Sequence, residues 1–298
     1  MKISVINTGF FKLDGGAMFG IVPKRMWDKL NPPDENNLCT WAMRCLLIET
    51  DDRKILIDTG MGDKQDDKFK SHFEPFGDDN LLQSLENQGV KVEDITDVFL
   101  THLHFDHCGG AVCNIQLEKD QNTPEGINEG GASNMFKPTF PNAIYWSNQT
   151  HWDWAMKPNA REVASFLKEN FVPLQEHSVL KMVEYKENIE FTENIHIQFT
   201  NGHTEAMMML KITIGDKTLL YCADTLPSKW HIGLPYIMAY DVRPLESLKE
   251  KAALLETAAT EGWYLFFEHD PTTECATVKK DNRGRIVLDK TFKLNEVF

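Results

Sequence analysis

Residues 101–110 read THLHFDHCGG, and no other stretch restricts the fold of this chain as tightly. Three of the ten histidines and an aspartate fall within six positions, directly after the apolar run ITDVFL. Alternate residues of a strand face one way, so His102 and His104 leave it on the same side. Asp106 and His107 follow on the turn, within reach of a second position nearby. Three such polar rings do not suit a core, whereas imidazole nitrogens and a carboxylate are ordinary zinc or iron ligands.

If an ion sits at this loop, further ligands belong at the ends of other strands. His203 follows IHIQFT in FTNGHT, Asp224 closes TLLYCADT, and His269 closes WYLFFEHDP. Alone, each reads as a cap or a satisfied turn residue. Four strand ends that all carry His or Asp read as one site. Cys108 and Cys113 lie near the loop, but it already offers enough nitrogen and oxygen, so no cysteine ligand is expected.

The periodicity places strands in two β-rich stretches around a helical middle. MRCLLIETDDRKILIDTG has the form of a hairpin turning at Asp51, Asp52 and Arg53. DDNLLQSLENQG reads as a helix ended by Gly89. THWDWAMKPNAREVASFLKENF reads as two helices broken by Pro158, and the segment from Cys113 to about Pro141 as a loop excursion. RPLESLKEKAALLETAATEG forms a long amphipathic helix closed by Gly262, and the tail forms a hairpin around Asn282, Arg283 and Gly284. Strands followed by helix occur twice, so the expectation is a single domain over 1–298 made of two β-rich halves, about 1–175 and 176–298. Each layer would be covered by helices, unlike a doubly wound parallel sheet.

With 298 residues, 42% hydrophobic and 26% charged, the chain can bury a large core. Its formal net charge of −14 argues against nucleic acid or an anionic membrane as partner. A small-molecule substrate is the simpler expectation. No secretory h-region or membrane-length apolar run is visible, and six cysteines without disulfide spacing read as reduced thiols. A cytoplasmic location is expected.

The motif HLHFDHCGG, followed in order by NGHT, ADT and EHD, resembles the metallo-β-lactamase superfamily from ILIDTG to FFEHDP. The resemblance implies an α/β fold, a four-layer αβ/βα sandwich with a dinuclear metal site at the sheet edge. His102, His104 and His203 would bind one ion, and Asp106, His107 and His269 the other. Asp224 would bridge them, and Asp58 of ILIDTG would support the site from behind. An aspartate bridge with histidine elsewhere is similar to the N-acyl homoserine lactonase and methyl parathion hydrolase group. Lactonases commonly carry a tyrosine soon after the bridging aspartate. ADTLPSKW has none, which leaves Tyr236 or Tyr240 for that place.

The activity so implied is metal-dependent hydrolysis by a metal-bridging hydroxide, opening a lactone or cleaving a related ester, in the manner of a quorum-quenching enzyme. Asp106 and Asp224 would be the catalytic carboxylates. Alternatives within the superfamily are organophosphate or aryl ester hydrolysis, or a mononuclear-iron oxygenase of the persulfide dioxygenase kind. Two divalent ions are expected, zinc first, with iron, manganese or cobalt also suited to such ligands. Met18 and Phe19, on the glycine-flexible GGAMFG, are expected to form an apolar lid. Trp154 and His231 are further candidates for substrate contact. Family members are often dimers, so the resemblance leaves a homodimer open.

Overall fold

A computed structural model describes residues 1–115, 136–187 and 189–298. The chain runs β1 (Lys2–Asp14), α1 (Gly15–Phe19), α2 (Lys24–Trp27), β2 (Leu38–Glu49), β3 (Lys54–Ile57), α3 (Asp67–Phe73), α4 (Leu81–Asn87) and β4 (Asp97–Phe99). After β4 come α5 (Phe105–Cys108), β5 (Val112–Asn114), β6 (Phe136–Pro138), β7 (Ile144–Asn148), α6 (Gln149–Met156), α7 (Val172–Glu176) and β8 (Leu180–Val183). The remainder is β9 (Ile189–Thr192), β10 (Ile195–Thr200), β11 (Met207–Ile214), β12 (Lys217–Tyr221), α8 (Pro244–Glu261), β13 (Tyr264–Phe266), β14 (Cys275–Lys280) and β15 (Ile286–Phe292).

Two mixed sheets result, one ordered β1-β2-β3-β4-β7-β8 and the other β15-β14-β13-β12-β11-β10-β9. Their inner strands are apolar on both faces because both faces are covered. Alternation along β2 and β3 sends Leu46, Ile48, Ile55 and Ile57 between the sheets, where they meet Ile197, Leu210, Ile212 and Leu219. The intervening Cys45, Leu47 and Leu56 face outward onto α4, with Leu81 and Leu85, and onto Trp152 of α6. On the other side Leu220 and Leu265 pack under Leu254, Leu255 and Ala258 of α8. Helix, sheet, sheet, helix is the four-layer sandwich expected.

Both turns at the hairpins form, β2 against β3 and β14 against β15. Gly262 closes α8 at φ 71°, its N–H donating to Ala258. The expected helix after Pro158 does not form. Residues 158–171 make turns and one short 3-10 segment, Lys168–Asn170. Glu162 in that stretch is drawn toward the site instead. Of the expected loop excursion, 116–135 lie outside the described residues, while its ends pair as β5 and β6 rather than staying irregular. Among the described residues no helix is long and apolar enough to cross a membrane. All six cysteines are free.

Candidate metal centre

Five turns from the two sheets meet at one edge. Asp58 N–H donates to the Phe99 carbonyl at 2.9 Å, Thr59 N–H to His107 at 2.7 Å and Gly110 N–H to Gly60 at 3.0 Å, tying the segment after β3 to the histidine loop. A Cβ on Gly109 would sit 1.9 Å from the Met61 carbonyl, so only glycine permits that approach. From the second sheet, β10 leads to His203, β12 to Asp224 and β13 to His269. The Leu103 N–H, between two of the histidines, donates to Nε2 of His151 at 2.8 Å, which makes His151 a buried structural residue.

The seven expected ligands come together and are all at least nine-tenths buried. His102, His104 and His203 form one group able to hold an ion, Asp106, His107 and His269 another, and Asp224 joins His102 and His107. One Asp224 oxygen lies 3.1 Å from His203 Nε2 and the other 3.1 Å from His269 Nε2, so the carboxylate stands between the groups.

Hydrogen bonds on the far side fix four of the five rings. The Thr101 hydroxyl donates to Asp58 at 2.6 Å, leaving its oxygen to accept from His102 Nδ1 at 3.0 Å. His107 Nδ1 faces Asp58 at 3.2 Å and Glu268 at 3.1 Å. His203 Nδ1 donates to Asp241 at 2.9 Å, and His269 Nδ1 to the Ala42 carbonyl at 2.7 Å. Outward protons leave lone pairs inward. The inward nitrogens crowd: His203 Nε2 lies 3.2 Å from His104 Nδ1, and His269 Nε2 lies 3.2 Å from His107 Nε2. His102 Nε2 is fully buried with no hydrogen-bond partner. Converging lone pairs without partners are a donor set suited to a divalent cation.

The electrostatics agree. Burial and the neighbouring His107, His104 and His203 push the His102 pKa well down. Burial also opposes charge on His269, yet Asp224 raises it to about 9. Asp224, against its own burial, is held well below the usual carboxylate range by His269, His203 and His107. Such a cluster calls for positive charge at its centre. Behind it, burial and then Asp58 push Glu268 up to about 7, with His107 opposing.

The family model described as the metallo-beta-lactamase superfamily matches residues 44–112. A probable metal-dependent hydrolase from Staphylococcus aureus superposes with a TM-score of 0.81 at 26% identity, covering 98% of each chain. The chain thus has the metallo-β-lactamase fold, with the superfamily's sequence signature over 44–112. An N-acyl homoserine lactonase of Bacillus thuringiensis is 25% identical over 254 residues, 81% of this chain and 85% of that one. Another, from Bacillus cereus, is 34% identical over 91 residues, which span only 35% of its length. The dizinc quorum-quenching lactonase AidC shares the fold at a TM-score of 0.74 and 20% identity, over 98% of this chain and 95% of that one.

Within this fold the two groups open on a cavity of about 290 Å³, walled by Leu13, Met18, Phe73, Phe105, Met238 and Tyr240. Arg161 and Glu162 also reach it. Of the expected substrate contacts, Met18 lies on this wall. Phe19, Trp154 and His231 do not, and those expectations are corrected. Phe19 is fully buried between Trp27 and His231, at 5.3 and 5.4 Å between ring centroids. His231 Nε2 donates to the Met18 carbonyl at 2.9 Å, so it supports the wall from behind. The Trp154 indole donates to Glu162 at 2.8 Å, and its face covers Arg243. Nor is the GGAMFG stretch a loose lid. It forms α1, and Gly20 at φ 58° packs so closely that a Cβ would fall 2.0 Å from the Ile237 carbonyl.

Sequence reasoning missed Glu162, Asp241, Glu268 and Arg161. Only Glu268 carried a signal, since it adjoins His269 in EHD. Of the two candidate tyrosines, Tyr236 packs edge-on against Phe19, while Tyr240 reaches the cavity.

Proposed function

We propose that the chain is a dinuclear metal hydrolase, with zinc as the ion, that opens a lactone ring or cleaves a related ester. The observation that carries this is the convergence of five imidazoles and two carboxylates, of which His104, His203, His269, Asp106 and Asp224 line a mostly apolar cavity. Bound there, two divalent ions supply Lewis acidity and bring the pKa of water toward neutrality.

The chain's own residues do the rest. Asp224 lies against histidines of both groups and fixes their separation. Asp106 is 8% exposed, with an oxygen 3.8 Å from His107 Nε2 and 3.7 Å from His269 Nε2. It is thus on the cavity side, able to hold a proton and hand it to a leaving alkoxide. Tyr240 is 38% exposed at the cavity wall, and its partial burial, with Asp14 and Asp106 nearby, pushes its pKa up, so its hydroxyl remains a donor at neutral pH. It is suited to hydrogen-bond the carbonyl oxygen of a substrate, the place for which ADTLPSKW offers no tyrosine. Met18, Phe105 and Met238 exclude water and favour a substrate with an apolar arm. The similarity to lactonases supports a lactone over a phosphotriester.

The test is hydrolysis of N-hexanoyl homoserine lactone, p-nitrophenyl acetate and a phosphotriester by protein given two equivalents of zinc, with His104→Ala as control. Lactone opening that exceeds the other two and is lost in the control supports the proposal. Turnover of the phosphotriester alone moves the substrate to that class. One bound iron, with no hydrolysis of any of the three, sinks the hydrolase reading.

A further inference from the structure

His104 is the exception among the five rings. The other four turn Nε2 inward, whereas His104 turns Nδ1 toward His203. Its Nε2 must therefore carry the proton if Nδ1 is to bind an ion, and a neutral imidazole can protonate only one nitrogen. That Nε2 is buried, has no hydrogen-bond partner, and lies 3.6 Å from Oε1 of Glu162. Oε1 is likewise buried and without a partner.

Glu162 is held so that this oxygen faces the ring. Its other oxygen accepts from the Trp154 indole at 2.8 Å and from the Asn159 amide at 2.5 Å. The backbone turn is fixed as well: Glu162 N–H donates to Asn159 at 3.2 Å, and the Ser165 carbonyl accepts from Phe105, the residue after His104, at 2.9 Å. Residues 158–165 give up the helix that their pattern favours and deliver one carboxylate oxygen beside one imidazole nitrogen.

We propose that Glu162 is the positioning residue that sets the tautomer of His104, keeping the proton on Nε2 and the lone pair of Nδ1 free. This rests on the reading of the cluster as a metal centre. Support of this kind from behind a ligand changes metal affinity by roughly 10–100-fold.

The isosteric variant gives the sharpest test. In Glu162→Gln the Trp154 and Asn159 donors claim the amide oxygen, so the amide N–H₂ must face His104 Nε2. A donor there favours the tautomer with the proton on Nδ1, which cannot bind. Glu162→Ala leaves room for a water that accepts from Nε2, and so does less harm. Nitrogen-detected NMR of the metal-free protein is expected to show Nε2–H at His104 in the wild type and Nδ1–H in Glu162→Gln. Zinc competition with a chelator is expected to rank affinity as wild type, then Glu162→Ala, then Glu162→Gln, with the last weaker by roughly 10–100-fold. A merely structural glutamate gives the opposite order, with the isosteric glutamine benign. Wild-type affinity and Nε2–H in Glu162→Gln would overturn the proposal. Failure of the wild type to bind zinc would overturn the metal reading instead, while the NMR comparison still decides the tautomer.

Discussion

Asp58 occupies a left-handed backbone position, φ 58°, that few residues tolerate, and it does so behind the site. Its carboxylate accepts the Thr101 N–H at 2.8 Å and the Thr101 hydroxyl at 2.6 Å, with His107 beyond. Asp58→Ala removes both acceptors and is expected to cost about 3 kcal/mol, the scale of buried donors left unpaired, measured by urea unfolding of the metal-free protein. Tyr240→Phe keeps the ring and removes the donor. It is expected to lower kcat on the order of 10²-fold with KM little changed, as for a donor to a developing oxyanion. An unchanged kcat would remove Tyr240 from the chemistry. At this scale the ligands were legible, because His and Asp at the ends of four apolar runs suit one shared ion better than four separate caps. Their supporting residues were not: Asp241 sits in AYDVRP with no pattern around it, and its relation to His203 exists only once the chain has folded.

The long helix α8 illustrates how far periodicity reaches among the elements. Its apolar stripe and closing glycine identify it, and its length agrees. The stretch after Pro158 shows the reverse, since AREVASFLKENF has helical character but Asn159 and Trp154 compete for Glu162 and turn the backbone. Within α8, Lys251 is an expense the pattern does not reveal. Its amine is buried and donates to the carbonyls of Gly233 at 3.1 Å and Tyr236 at 2.8 Å, in the loop leading to Tyr240. Burial lowers its pKa from 10.5 to about 7. Between those values the unfolded chain binds more protons than the folded one, so this residue's contribution to stability rises with pH across that window. The unfavourable contribution is full below about pH 7. In urea unfolding, the stability difference between wild type and Lys251→Met is expected to move in favour of the wild type from pH 7 to pH 9. No movement would mean that the amine keeps an ordinary pKa.

For the molecule as a whole, strands and their hairpin partners were legible, but which sheet edges meet was not, because side-chain alternation says nothing about strand order across a sheet. The resemblance carried that part of the reading. In the proposed metal centre a chelator withdraws ions that bind the folded chain and not the unfolded one, so chelation is expected to lower the melting temperature. Zinc at 100 times its Kd is expected to restore about 2.7 kcal/mol, readable by calorimetry with and without chelator. A melting temperature indifferent to chelator would argue that the cluster holds no ion. The division of the ligands between the two sheets has a further consequence, for biosynthesis. His203 follows His104 by 99 positions and His269 follows His107 by 162, so neither group of donors exists in a half-made chain. A ribosome-bound fragment ending before His269 has no complete second group. In the proposed metal centre, filling of the second group therefore waits for nearly all of translation, and it reports that both sheets have come together.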